Sequence, residues 1–259
     1  MTKANGIVKA PWMIARDFPR PSYDSTLTIK APATHTLDQQ KEKRLIEASF
    51  LAIDMVARAQ KTLANYGENS PQRVKDLLEM IFASDFLGKD HRIFQELQES
   101  LATIHEGLTK DLTLKVVFPP LSRKARGYVH MRDVDARQGT YAIKRTDVLH
   151  HLYGRRKVFG NIHLANELLN GSHRIHDVAR TIVHEASHRY CATVDHQYLK
   201  RDFNVLRYKY MTPEKALKNA DSFARFCQYL TVPHLEVRQP LAVEGKSLGL
   251  NFMNGRTRC

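Results

Sequence analysis

His184 and His188 stand four residues apart, with Glu185 directly after the first of them. On a helix, positions i and i+4 lie on one face a turn apart, so two imidazoles at this spacing can hold one zinc ion. Glu185 falls beside that face, where its carboxylate can reach a water on the metal without itself being a ligand. Zinc lowers the pKa of bound water to about 7, and an adjacent carboxylate can act as the general base. The chemistry this spacing offers is hydrolysis.

A catalytic zinc usually takes three protein ligands. A third histidine six residues after His188 is excluded, because Val194 stands there and Cys191 holds the place of the usual glycine. Asp195 is the nearest candidate if the chain turns back after Tyr190, and His196 and Glu214 are its rivals. Cys191 reads as a small packing residue. The pairs His150-His151 and His173/His176, and the lone His105-Glu106, read as surface or capping groups.

The elements needed to position these residues can be read from periodicity. Leu45, Ala48, Ala52, Met55, Val56, Ala59 and Leu63 mark one face of a long helix. A second helix is expected after Ser70-Pro71, with Ser70 as its N-cap, and a third from about Asp90. "LKVVF", "GYVH", "TYAI" and "VFGNIHLA" predict a small sheet of three or four strands, with the strand at "GNIHLA" as an open edge for an extended substrate. Ser172 is placed to cap the metal helix, and Thr212-Pro213 to start the next one. The expected architecture is α+β and zincin-like. An extended arm (1–37) precedes a single domain with helical (38–110), sheet (111–165) and metal-helix (166–231) parts, and an irregular tail (232–259) follows.

Composition limits the rest. The 259 residues carry a formal net charge of +13. Between Lys115 and Lys157 eleven basic residues face three acidic ones, a local excess of +8. That field suits acidic protein surfaces, while its tyrosines are weak grounds for nucleic-acid binding, which is not the expected function. Three cysteines make no disulfide framework. The N-terminal stretch lacks a signal-peptide core and no run reaches the ~20 apolar residues of a membrane span. The expectation is synthesis in a cytosol, with delivery to another cell by a signal-independent route left open.

"HEASH" followed by "ATVDHQY", and "NADSFARF" from Asn219, resemble the aspzincin metallopeptidases, the deuterolysin and peptidyl-lysine metalloendopeptidase family. That family pairs the histidine pattern with Gly-Thr-x-Asp-x-x-Tyr. The resemblance implies zinc, one ion per chain, on His184, His188 and Asp195, with Glu185 as base. It implies Tyr198 as donor to the oxyanion, Asp221 at the metal site or in the substrate pocket, and a protein or peptide substrate. Three departures stand out. The segment from His188 to Asp195 is about two residues short, alanine (Ala192) replaces the loop glycine, and Ala224 occupies the place of an acidic residue found in lysine-preferring members. Lysine preference is therefore not implied. The expected function is a zinc metalloendopeptidase. The alternatives are a delivered effector or toxin protease with one protein target, and a degenerate fold that binds acidic partners.

Overall fold

The computed structural model describes residues 13–33, 35, 37–87, 91–119, 125–133, 147–152, 155–202, 205–207 and 211–232. The tail beyond 232, the whole "TYAI" segment and about half of the basic run between 115 and 157 lie outside these residues.

The helical half follows its periodicity. Helix α1 (Gln39–Ala64) is capped by Asp38, whose carboxylate accepts from the Lys41 amide, and it buries the predicted stripe from Leu45 to Leu63. Helix α2 (Gln72–Phe82) begins after Pro71, and Ser70 instead accepts a hydrogen bond from the Gly67 amide. Helix α3 is His91–Thr109. The metal helix, α4 (Ile175–Cys191), has Arg174 rather than Ser172 at its N-cap. The predicted last helix is two: α5 (Pro213–Leu217), capped by Thr212, and α6 (Ala220–Thr231). Helix α4 lies between α1, α3 and α6 and the sheet, so its residues from Val178 to Ser187 are buried.

The sheet is larger than predicted, with six strands among the described residues. They are β1 (Met13–Arg20), β2 (Ser25–Pro32), β3 (Leu112–Val117), β4 (Gly127–Asp133), β5 (Val148–Leu152) and β6 (Arg155–Ala165). The order is β1-β2-β3-β6-β4, with β5 also on β6. Two short strands, β7 (Lys200–Asp202) and β8 (Val205–Arg207), pair separately. The stretch read as an extended arm is, from Met13 to Pro32, an antiparallel hairpin on the main sheet. Its prolines disguise it. Pro19 sits on the edge strand β1, where a missing amide is tolerated, and Pro21 opens the connecting turn. Beneath them Leu27, Ile29 and Ala31 alternate into the core. Arg20 ties the hairpin to the end of α3 by donating to the Leu108 carbonyl at 2.8 Å, which satisfies a helix-terminal acceptor.

The strand expected as an open edge is interior. β6 pairs in parallel with β3 through Ile162–Ala165, and antiparallel with both β4 and β5. Among the described residues, the open edge nearest the metal helix is β4. It begins at Gly127, directly over α4, where a Cβ would meet the Glu185 Oε1 atom at 2.7 Å.

Candidate metal centre

The buried helix α4 supplies His184 and Glu185, both almost without exposure, and His188 one turn on. The helix ends at Cys191, and Ala192 takes a left-handed conformation at φ 53°. The missing glycine is thus replaced by an alanine in the same strained region, at a cost of about 1 kcal/mol. The turn is locked from within. Ser187 Oγ lies 2.9 Å from Thr193 Oγ1, and the Thr193 carbonyl is 2.8 Å from His188 Nδ1.

That turn is tight enough to bring Asp195 back despite the short segment. Asp195 Oδ1 stands 3.1 Å from His184 Nε2 and 3.4 Å from His188 Nε2. The three candidate ligand atoms lie within 4.8 Å of one another. Ligands at about 2.0 Å from a tetrahedral zinc are separated by about 3.3 Å, so the donor set and spacing fit that ion. The Thr193 carbonyl accepts the proton on His188 Nδ1 and so leaves Nε2 its lone pair, the usual outer support of a ligating histidine. The rivals drop out. Among the described residues neither His196 nor Glu214 joins the group, and both are exposed. Cys191 donates instead to the Ser100 carbonyl, and burial pushes its thiol up to about 12.

The electrostatics follow from crowding. Burial opposes the ionised form of Asp195, but hydrogen bonds and charge from His184 and His188 outweigh it and hold its pKa well below the usual range. Burial also opposes protonation of His188. Asp195, the charge of Glu185 and the Thr193 carbonyl reverse that and raise its pKa. Burial raises Glu185 to about 7, against the pull of the two histidines, while Asp195 adds to the rise. Its Oε2 is buried without a hydrogen-bond partner. The ring of Tyr198 stacks on His184 with centroids 5.7 Å apart and lines the same cleft as Glu185. Burial, then the charge of Asp195 and a hydrogen bond to it, keeps the phenol protonated.

Asp221, expected to bind substrate or support the site, is fully buried behind the cleft wall. Its Oδ2 accepts the Leu199 amide at 2.7 Å, and its Oδ1 lies 3.5 Å from Arg180 and 3.6 Å from Arg225. Its carboxylate is engaged within the protein and has no exposed surface. Asn219 is the residue whose role the sequence reading missed. Its side-chain oxygen accepts from the amides of both His196 and Gln197, while Val194 bridges to its backbone. The break between α5 and α6 exists at this clamp. The signal was present in "NADSFARF", but only as a match of letters.

Fold and site together define an α+β chain with a helix-borne pair of histidines completed by an aspartate from the following loop. A family model described as lysine-specific metallo-endopeptidase, aspzincin, matches residues 130–228. That segment holds every candidate ligand, and over it the chain is similar to the aspzincin family. The group that could hold a metal is two histidines and an aspartate, His184, His188 and Asp195, and not the His-Glu-x-x-His pattern alone. A solved zinc peptidase from Grifola frondosa aligns over 76% of this chain and 99% of its own, at 17% identity and a TM-score of 0.48. No curated protein matches the chain.

Proposed function

We propose that the chain is a zinc-dependent peptidase that cuts peptide bonds within a protein substrate. The observation that carries this reading is the convergence of His184, His188 and Asp195 within 4.8 Å, beside a buried carboxylate. A zinc ion held by these three would polarise the scissile carbonyl and lower the pKa of water at that position. Glu185 is the base. A carboxylate with a pKa near 7 is poised to take a proton at neutral pH and return it to the leaving amine. Tyr198, its phenol kept protonated, is the donor to the oxyanion that develops on the substrate. The free edge of β4 runs beside this site and offers backbone groups to an extended peptide. The placement of Asp195 3.1 Å from His184 Nε2 and 3.4 Å from His188 Nε2 favours this reading over a binding module without catalysis.

The test is Glu185→Gln, with zinc content measured beside cleavage of an unfolded protein such as casein. The variant should retain the parent's zinc and lose about 10²- to 10⁴-fold in activity. Equal cleavage by variant and parent would remove Glu185 from the mechanism, and a parent that takes up no zinc would sink the reading.

A further inference from the structure

A cleft of about 360 Å³ opens directly beside the metal group, bordered by His184, Glu185 and Tyr198 on one side. Among the described residues its remaining charged lining is basic and consists of Arg126, Arg180 and Arg225. Arg126 is exposed at the mouth, just before β4. Arg180, on α4, is buried, and Arg225 on α6 is half-buried.

The acids that face these cations come from two helices, α4 and α6. Asp221 on α6 lies 3.5 Å from Arg180 and 3.6 Å from Arg225, so one carboxylate serves two guanidinium groups. Asp177, on α4, adds a more distant attraction to Arg180 and also accepts from Gln228. Glu185 borders the cleft at the metal end and is committed there. Three cations thus meet two structural carboxylates, and a bound metal would add further positive charge. Burial, then the charge of Arg225, presses the Arg180 pKa down, which shows how closely the cations crowd. The Nε of Arg180 is buried without a hydrogen-bond partner, while that of Arg225 is the atom facing Asp221 at 3.6 Å. A guanidinium is a planar fork that matches a carboxylate in two-point contact, and such charge-assisted bonds are the strong ones.

We infer that this cleft selects a carboxylate of the peptide substrate, either an aspartate or glutamate side chain close to the bond cut or the substrate's own C-terminal carboxylate. The inference rests on the peptidase reading for its substrate class. A lysine in the same cleft would meet like charge, which opposes the preference named in the description of the matched family. An uncharged amide would leave the arginine donors no better served than water does.

Binding separates this inference from catalysis. The probes are short alanine-based peptides, acetylated and amidated, carrying one Glu, Gln or Lys, together with an all-alanine peptide with a free C-terminus. Their affinity is measured on the zinc-loaded Glu185→Gln variant. The Glu peptide or the free-carboxylate peptide should bind about 10- to 100-fold more tightly than the Gln and Lys peptides. Whichever of the two shows the gain identifies the source of the carboxylate. Arg225→Gln should shrink the gain, and Arg225→Glu should shift preference toward Lys. Arg126→Gln, at an exposed position, supplies a second reduction that no folding defect explains. Equal binding of Glu, Gln and all-alanine peptides, in either terminal form, overturns the inference. If the parent cleaves these peptides without favouring acid, the inference falls and the peptidase reading stands. If acidic peptides bind selectively and the parent cleaves none, the inference stands and the peptidase reading falls.

Discussion

Helix α4 and the loop after it contribute to the same cluster of ligand atoms, but different forces hold them. The helix places His184, Glu185 and His188 by its own period, and burial between other helices and the sheet fixes their direction. The loop from Ala192 to Leu199 has no such internal repeat. It is held at its start by strained backbone and the Ser187–Thr193–His188 contacts, and at its end by the side chains of Asn219 and Asp221. A site built half from a rigid element and half from a clamped loop depends on residues that never touch the metal.

The sharpest way to break this comparison starts on the helix. His188→Ala should abolish stoichiometric zinc binding, as read by metal analysis after dialysis, because two ligands do not make a stable site. Asn219→Ala acts on the loop alone. It leaves the His196 and Gln197 amides without their acceptor and should cost about 1–3 kcal/mol of stability in denaturant melts. If the clamp orients Asp195, zinc affinity should also fall, by about 10- to 100-fold. A loss of stability with unchanged zinc affinity would show that the loop holds itself.

Titration of the metal-free protein sharpens the contrast further. The pKa of Asp195 is depressed, so its contribution is present above its unfolded value of about 3.9 and is lost as pH falls. The pKa of His188 is raised, so its contribution is full below about 6.5 and is lost as pH rises through its folded value. Thermal melts in chelator should therefore be more favourable near pH 5.5 than near pH 8. Zinc should reverse that order, because it displaces the proton from His188. The smallest effect is expected from Ala192→Gly. Relief of the left-handed alanine, about 1 kcal/mol, is offset by about 0.4–1 kcal/mol of extra freedom in the unfolded chain, so stability should rise by no more than about 0.6 kcal/mol.

The same division explains what could be read in advance. The stripe of α1 and the spacing of His184 and His188 are local regularities, and the structure keeps them. Asp195 could be named from its spacing as the nearest candidate, but only a resemblance favoured it over His196 and Glu214, because its position depends on Asn219, which lies 24 residues further along. The hairpin of β1 and β2 was hidden by Pro19 and Pro21, which read as breakers until the strand is known to lie at an edge. The place of β6 inside the sheet depends on partners drawn from three separate stretches of chain, and no local pattern reports that.

Gly127 has a practical consequence. Its Cα lies so near the base that a single added methyl would press on the Glu185 carboxylate and on Thr181, while His184, His188 and Asp195 lie elsewhere. Gly127→Ala should therefore spare zinc binding and lower activity, as read by zinc content beside cleavage, with no ionisable group altered. Such a silent twin is the control needed in living cells, where a charge-changing variant would confuse lost chemistry with lost attraction to acidic neighbours.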